Sequence, residues 1–336
     1  MKLKPVERQT IVITGATSGI GLATARLAAR RGARLFLIAR SEGDLRELAA
    51  ELAKRGAQVD YAVADVADLP QLKVAVERAV ERFGGFDTWV NNAGVSVYGR
   101  LADVPVDDQR QLFETNFWGV VNGSLAALPY LKRRGGALIN VGSELSDLAV
   151  PLQGAYVASK HAVKGYTNAL RLELMDEGAP VSVTLIKPAG IHTQFVEHAR
   201  NYLDFEPKLP APEYAPDVVA KAILHAAQYP QRDVFVGGAS RGMSAFARQT
   251  PSLFDRVVSA IGVSLQHTDD PPSRADGLES GAGGLKERSP RPRRVHDSSA
   301  YTAAAQHPYR TIGLALGVGA VWLAAAASRR GRASPP

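Results

Sequence analysis

The chain has 336 residues and contains no cysteine. Disulfide bonds, thiolate metal ligands and cysteine nucleophiles are therefore all excluded. Neither His192 nor His198 has a partner at the spacing that metal ligands use, so we expect no metal site. The first ten residues, MKLKPVERQT, lack the apolar core of a cleaved secretory signal, and we expect none here.

A strong net charge is also missing from most of the chain. The formal net charge is +7, and residues 266–336 account for more than half of it, with ten Lys/Arg against six Asp/Glu. A nucleic-acid-binding protein needs a basic patch on its folded domain. We therefore expect no nucleic-acid partner, and the basic C-terminal part needs a separate explanation.

Short apolar runs rich in β-branched residues alternate with helical patterns through most of the chain. The runs predict seven strands, at residues 10–14, 34–39, 58–64, 86–90, 137–141, 181–186 and 233–236. Strands that alternate with helices of this length form right-handed βαβ units and a parallel sheet. The sequence thus predicts an α/β fold, a Rossmann-type doubly wound parallel seven-stranded sheet with helices on both faces.

A glycine-rich turn follows the first predicted strand and precedes an alanine-rich helix. It contains Gly15, Gly19 and Gly21. In this context glycines let backbone N–H groups and a helix N-terminus approach a pyrophosphate. The spacing differs from the commoner dinucleotide fingerprint, and an ordinary tight turn between a strand and a helix is the alternative.

The ends of the next two predicted strands carry residues suited to the rest of a dinucleotide. Arg40 stands where an acidic residue would hold the ribose 2′-hydroxyl of NAD, and an arginine there suits the 2′-phosphate of NADP. A solvated arginine at a strand end is the alternative. Asp65 follows the third strand, where its carboxylate can accept a hydrogen bond from an adenine amino group.

Tyr156 and Lys160 form the sharpest chemical pattern in the chain. They stand one helical turn apart, so on a helix they share a face. An ammonium near a phenol favours the phenolate and lowers the tyrosine pKa. Ser143, at the end of the fifth strand, offers a hydroxyl to a substrate oxygen. The set suits proton transfer to or from a carbinol oxygen, with a solvated surface pair as the alternative.

These motifs together resemble the short-chain dehydrogenase/reductase family, in its single-domain form with a Tyr-x-x-x-Lys pair. The resemblance covers residues 10–238, about two thirds of the chain. The family's order and spacing are matched by residues 14–21, Asp65, residues 91–94, Asn116, Ser143, Tyr156, Lys160 and residues 188–193.

The resemblance implies roles for the matching residues. Tyr156 is the implied general acid/base, Lys160 lowers its pKa and bonds the nicotinamide ribose, and Ser143 polarises the carbonyl. Asn116 is implied to position a water in the proton relay, whereas from the residues alone it caps a helix kink or holds a water. The full set of predicted cofactor contacts is Gly15, Ser18, Gly19, Ile20, Gly21, Arg40, Ser41, Asp65, Val66, Asn91, Ala93, Gly94, Tyr156, Lys160, Pro188, Ile191 and Thr193.

A long proline-rich loop, residues 194–216, follows the sixth predicted strand. Its place in the chain predicts a lid over the site. Four aromatic residues in it favour an apolar carbonyl compound or alcohol as substrate, with plain packing of the loop as the alternative: Phe195, Tyr202, Phe205 and Tyr214.

The composition changes after residue 265. Residues 1–265 are predicted to form an NADP(H)-binding catalytic domain, which ends in two amphipathic helices broken at Pro251 that pack on the domain or lie against a membrane or partner. Residues 266–310 are predicted to be a disordered polar linker, 311–327 a membrane-associated helix and 328–336 a basic tail. The basic end predicts a cytoplasmic C-terminus, whereas the need for NADP(H) favours a cytoplasmic catalytic domain. The orientation of the helix stays open.

The leading hypothesis is an oxidoreductase that interconverts a carbonyl and an alcohol by hydride transfer, with Tyr156 as general acid/base. NADP(H) is the expected cofactor, and NAD(H) is the less favoured one. The alternative is a membrane-tethered nucleotide-binding scaffold or redox sensor without turnover. The resemblance also implies a homodimer or a homotetramer.

Overall fold

The computed structural model describes residues 1–306 except 274, 275, 280, 282 and 283. The strands in these residues are, in chain order, β1 (Thr10–Thr14), β2 (Arg34–Ala39), β3 (Val59–Val63), β4 (Thr88–Asn91), β5 (Val97–Tyr98), β6 (Gly136–Val141), β7 (Val181–Pro188), β8 (Arg200–Asn201), β9 (Glu213–Tyr214), β10 (Asp233–Val236) and β11 (Val295–His296).

The helices stand between these strands and after them. They are α1 (Gly19–Arg30), α2 (Glu42–Lys54), α3 (Leu69–Phe83), α4 (Val106–Phe113), α5 (Gly119–Arg134), α6 (Gly154–Asp176), α7 (Pro216–Gln228), α8 (Gly238–Gln249), α9 (Pro251–Ile261) and α10 (Ala300–Gln306).

One parallel sheet of seven strands organises the fold, in the order β10–β7–β6–β4–β1–β2–β3. The chain runs outward from β1 through β2 and β3, then returns to β4 on the other side of β1. Ligands bind at such a reversal, outside the carboxyl ends of the strands. The predicted α/β fold with a seven-stranded parallel sheet is confirmed.

Helices cover both faces of the sheet, which is why its central strands β1, β4 and β6 are buried throughout. All five residues of β1 are buried. Ile11 and Ile13 pack in one core with residues of α1, α2 and α7, whereas Val12 packs in a second core with residues of α3 and α5. Successive side chains of a strand point to opposite faces, and here each face has its own helix layer.

The helical stretch between β5 and β6 is interrupted in the structure. Helix α4 ends at Phe113, and a π-helical turn, Glu114–Trp118, leads into α5. Asn116 is fully buried within this turn. Single π turns of this kind are frequent at functional sites, because the extra residue turns side chains and carbonyls out of helical register.

The segment after residue 265 differs from its prediction as a disordered linker. In its described part, the Gln153 side chain donates to Gln266 (Nε2 to Oε1, 2.9 Å), β11 pairs with β9, and Thr302 accepts a hydrogen bond from the Gly237 amide. Ion pairs and backbone hydrogen bonds hold this segment. Composition predicts neither kind of contact, because it reports only how many residues are apolar.

The predicted membrane-associated helix, 311–327, and the basic tail, 328–336, lie outside the described residues. Among the residues that the structure does describe, no helix has the length and apolarity needed to cross a bilayer.

The predicted break at Pro251 separates α8 from α9, and α9 leaves Leu253, Val257 and Ile261 exposed.

A buried hydrogen-bonded cluster ties β4 to β6 and α5 beneath the carboxyl edge of the sheet. Asn91, which is 3% exposed, accepts a hydrogen bond from Trp89 Nε1 (2.7 Å). Its amide nitrogen donates to Asn140 Oδ1 (2.9 Å) and to Ser124 Oγ (3.2 Å). The Asn91 side chain is therefore a structural element of the core, not a group that faces a ligand.

Replacing Asn91 should destabilise the fold because it leaves buried polar partners unsatisfied. We expect Asn91→Ala to lower the free energy of unfolding by about 2 kcal/mol or more, measured by urea denaturation. The control is Asn168→Ala, whose side chain accepts from Arg171 at a half-buried position where water can replace it, with a loss below about 1 kcal/mol. Equal losses in the two variants would contradict the assignment.

Candidate active site

A cavity of about 280 Å³ lies at the carboxyl edge of the sheet, beside the reversal in strand order. Most of the residues predicted for the site line it together: Gly15, Ser18, Gly19, Ile20, Arg40, Ser41, Asp65, Val66, Ala93, Gly94, Ser143, Tyr156, Lys160, Pro188, Ile191 and Thr193. Gly21, Asn91 and Asn116 are predicted site residues that do not line it. Asn91 belongs to the buried cluster under the sheet edge, and the other two shape the cavity wall from behind.

The glycine turn between β1 and α1 brings bare backbone to one end of the cavity. Gly15 and Gly19 have φ values of 64° and 50°, in the left-handed region that favours glycine. A Cβ on Gly21 would lie 2.0 Å from the Gly15 carbonyl oxygen, so no other residue fits there. The turn leads into the N-terminus of a 12-residue helix, where backbone N–H groups favour anions.

Hydrogen bonds join this turn to the loop after β4. Thr14 Oγ1 accepts from the backbone amides of Asn92 (3.0 Å) and Ala93 (3.1 Å). The side-chain nitrogen of Asn92, Nδ2, donates to the backbone carbonyl oxygens of Thr14 (3.0 Å) and Gly15 (3.2 Å). Asn92, which the sequence analysis did not assign, is thus the residue that fixes the floor of the cavity and lines it.

The other end of the cavity holds Ser143, Tyr156 and Lys160. Ser143 follows β6, and its Oγ accepts from the Leu145 amide (3.1 Å) at the start of a 3₁₀ turn, Glu144–Ser146. Tyr156 lies in the first turn of α6 and is 8% exposed. Lys160 Nζ lies 5.6 Å from the centroid of the Tyr156 ring and donates to the Val141 carbonyl oxygen (3.0 Å).

Burial dominates the electrostatics of this group. Burial raises the pKa of Tyr156 above its ordinary value, and a hydrogen bond to Ser143 offsets only part of that rise. Burial also lowers the pKa of Lys160 to about 8. Desolvation of the phenolate is thus the largest effect on this pKa, and the predicted lowering by Lys160 stays a prediction. The phenol remains protonated at neutral pH.

Asn116 acts as a clamp on the cavity wall. Its Oδ1 accepts from the Val95 amide (2.8 Å), and its Nδ2 donates to the Val95 carbonyl oxygen (2.9 Å) and to Ser159 Oγ (3.2 Å). Its side chain therefore joins the π-helical turn to the loop after β4 and to α6. These bonds are structural, and the role in positioning a water stays a prediction.

The substrate side of the cavity mixes apolar and polar groups. The Phe195 ring meets the Tyr156 ring edge-on with centroids 5.4 Å apart. Four further polar residues line this end: Glu144, Gln153, Gln194 and His198. Gln194 and His198 belong to the loop that was predicted as a lid, and Glu144 is the residue of this group that sequence reasoning missed. The position of Glu144 directly after Ser143 was the one available signal.

The loop predicted as a lid meets the cavity with only part of its length. Phe195, Leu209 and Pro210 line the cavity. Tyr202 instead donates its hydroxyl hydrogen to Asp108 at the surface, and Tyr214 packs into the core beside the sheet. Of the four predicted aromatic residues, Phe195 is the one whose ring lines the described cavity.

The family model described as short chain dehydrogenase matches residues 9–203. The chain belongs to the short-chain dehydrogenase/reductase family. It is 42% identical over 330 residues to an oxidoreductase of Bacillus subtilis (strain 168), YxnA, described as uncharacterized, covering 97% of this chain and 92% of that one. This chain is thus similar to an oxidoreductase along its C-terminal segment as well.

Two solved structures show the same architecture. An alcohol dehydrogenase of the archaeon Thermococcus sibiricus, complexed with 5-hydroxy-NADP, superposes with a TM-score of 0.60 at 30% identity, over 68% of this chain and 95% of that one. A short-chain dehydrogenase/reductase of Burkholderia phymatum, in complex with NAD, gives 0.68 at 26% identity, over 75% and 96%. The chain is an oxidoreductase of this family.

The cleft of this short-chain dehydrogenase/reductase fits a nicotinamide dinucleotide on its own geometry. The glycine turn leaves bare backbone at Gly19, where a Cβ would lie 3.2 Å from Thr193 Cγ2 in the cavity lining, and it stands at a helix N-terminus, as a pyrophosphate requires. The same cavity is lined by Arg40 and Asp65 after β2 and β3, and by Lys160 on α6 and Thr193 after β7. The residues needed along a dinucleotide are therefore present in one continuous cleft.

The Glu144 carboxyl should make the stability of the protein depend on pH. Burial raises its pKa from 4.5 to about 7, so between these values the folded state holds a proton that the unfolded state loses. Stability from this group is present below pH 4.5 and is lost as the pH rises through 7. We expect Glu144→Gln to match wild type at pH 4.5 and to be about 1–3 kcal/mol more stable at pH 8.

Urea denaturation at the two pH values measures this difference. Glu47→Gln, the same substitution at an exposed position on α2, is the matched control. A gap between Glu144→Gln and wild type that is the same at both pH values would contradict the buried carboxyl.

Proposed function

We propose that the protein is an NADP(H)-dependent oxidoreductase that interconverts a carbonyl compound and an alcohol. One observation carries the proposal: Ser143, Tyr156 and Lys160 converge at the end of a cleft whose opposite end is the glycine turn. Hydride transfer is the chemistry that a nicotinamide supplies when bound. The chain's own residues then have to orient the substrate and move one proton.

Tyr156 is the proposed general acid for reduction and general base for oxidation. Its raised pKa keeps the phenol protonated, so the O–H can donate a proton to a carbonyl oxygen as that oxygen gains charge. Ser143 is the proposed second donor to the same oxygen, held in place by the 3₁₀ turn that follows it. Lys160 contributes a buried ammonium beside the phenol, which favours the phenolate once the proton has left.

Asn116 is proposed as a positioning residue. Its clamp on Val95 sets the wall between the nucleotide side and the substrate side of the cleft. Lys160 Nζ lies near the same wall, 3.8 Å from where a Cβ on Gly94 would stand. A shift of this wall would move the ammonium relative to the phenol, which is how Asn116 acts on the proton transfer.

Arg40 supports NADP(H) over NAD(H). It lines the cavity next to Ser41, at the end of β2, and no acidic residue stands at that point to hold a free ribose 2′-hydroxyl. A guanidinium matches the geometry and charge of a phosphate. The solved relatives hold an NADP derivative in one case and NAD in the other, so the preference rests on this arginine.

Apolar lining residues support an apolar carbonyl compound as substrate, with Phe195, Leu145 and Leu209 around the reacting end. Assembly as a homodimer or homotetramer is supported by large apolar side chains exposed on α5 and α6, which include Leu125, Leu172 and Met175. Residues 1–265 are proposed as the catalytic domain, and its use of NADP(H) supports a cytoplasmic location.

The proposal is tested by removing one oxygen atom. We expect Tyr156→Phe to lower carbonyl-dependent NADPH oxidation by at least about 100-fold, because the proton donor is lost. NADPH affinity, measured by calorimetry, should change by less than about twofold, since the ring and the fold remain. Tyr229→Phe, the same change at a tyrosine that is 51% exposed, is the control and should keep full activity.

A Tyr156→Phe protein that retains turnover would sink the catalytic assignment. Wild-type protein that binds NADPH and turns over no carbonyl compound or alcohol would favour the nucleotide-binding scaffold instead.

A further inference from the structure

A segment after α9 crosses the mouth of the cofactor cleft. We call its described residues, 276–279, 281 and 284–287, the C-terminal strap. At one end the Gly277 amide donates to the His198 carbonyl oxygen (2.8 Å) on the substrate side of the cleft. At the other end the Gly19 amide, in the glycine turn, donates to the Lys286 carbonyl oxygen (3.0 Å). The strap thus bridges both sides of the cavity.

The strap takes up the guanidinium that we assign to the 2′-phosphate. Arg40 Nη1 donates to the carbonyl oxygens of Leu278 (3.2 Å) and Glu279 (3.1 Å). Arg40 Nη2 donates to the carbonyl oxygen of Gly277 (2.8 Å). Three backbone carbonyl oxygens therefore accept from the guanidinium N–H groups that would otherwise bind a phosphate.

Ion pairs anchor the strap on both sides of Arg40. Arg200 binds the strap carboxylates of Asp276 and Glu279, the latter at 2.9 Å. Arg26, on α1, binds the Glu287 carboxylate at 2.8 Å. These contacts bring strap carboxylates to the surroundings of a site proposed for phosphates. The strap carboxylates and the cofactor phosphates are both negatively charged, so their presence near the same site is mutually unfavourable.

Two further features describe how the strap is seated. The Leu278 side chain is fully buried and belongs to the apolar cluster that contains Tyr156. Leu285, beside Lys286, has a φ of 46°, in the left-handed region that a leucine rarely adopts. Such strain persists only where surrounding contacts impose it, and release of the strap would relieve it.

We propose that the C-terminal strap is an intramolecular competitor of the dinucleotide, which must leave Arg40 and Gly19 before the cofactor phosphates bind there. The inference rests on the proposed function and adds to it a regulated cofactor site. A hydrogen bond to a charged phosphate is stronger than one to a neutral carbonyl oxygen. NADPH therefore displaces the strap, at the cost of a lower apparent affinity than an open cleft would have.

The first test weakens the strap without leaving an arginine unpaired. In the variant Glu279→Gln with Glu287→Gln, Arg200 keeps Asp108 and Arg26 keeps Glu51. We expect the Kd for NADPH of the full-length protein, measured by calorimetry, to fall about two- to tenfold. The control is Asp297→Asn, which removes an exposed partner of Arg288 beyond the strap and should leave the Kd unchanged.

The second test locks the strap in place. A Cβ on Gly281 would lie 3.6 Å from the Cβ of Ser41, which is within the range that a disulfide bridges. The chain has no other cysteine to compete when Ser41→Cys is combined with Gly281→Cys. Because Ser41 itself lines the cavity, the comparison is made within this one variant, where any effect of the substitutions is common to both forms. We expect the oxidised form to bind NADPH at least about tenfold more weakly than its reduced form.

Hydrogen exchange separates a competitor from a closing lid. NADPH should speed amide exchange across residues 276–287 if the strap leaves, whereas a lid would be protected further. Weaker NADPH binding in the charge variant, equal affinity with wild type, or binding by the locked form would each overturn the competitor. A protein that binds no dinucleotide in any form would overturn the proposed function and this inference together.

Discussion

The hydrogen bonds between the end of β1 and the loop after β4 are the interaction on which the site depends. Thr14 and Asn92 exchange backbone and side-chain hydrogen bonds across the point where the strand order reverses. They hold the glycine turn so close to this loop that a Cβ on Gly15 would lie 2.8 Å from Ala93 Cα. The glycine turn and the loop after β4, which both line the cleft, are held together by this junction.

Burial then sets the chemistry at the other end of the cleft. Removing Tyr156 and Lys160 from water raises the pKa of the phenol and lowers that of the ammonium, so the charged forms of both are disfavoured. In the proposed reaction, the phenol keeps its proton until a substrate oxygen accepts it. The strap extends the same logic to the nucleotide side, where it supplies acceptors to Arg40 and Gly19 and covers the cleft.

Periodicity and motif spacing predicted the sheet, the glycine turn and the Ser143, Tyr156 and Lys160 set, because each is local in sequence. Periodicity and spacing could not predict which residues far apart in the sequence are hydrogen-bond partners. The Asn91 side chain faces a buried cluster and Asn92 faces the cleft, a choice that depends on how β4 packs against α5. The strap was predicted as disordered because its composition is polar. Composition does not reveal that Arg40, over 230 positions away in the chain, donates hydrogen bonds to carbonyl oxygens of the strap.

The central claim is that this cleft carries out hydride transfer between NADP(H) and a carbonyl compound. The most direct measurement supplies NADPH deuterated at the transferring position together with a panel of apolar ketones and aldehydes. Mass spectrometry then locates the label. The account predicts deuterium on the carbinol carbon of a product alcohol, formed faster from NADPH than from equally labelled NADH. Cofactor that binds but transfers no deuterium to any compound of the panel would contradict it.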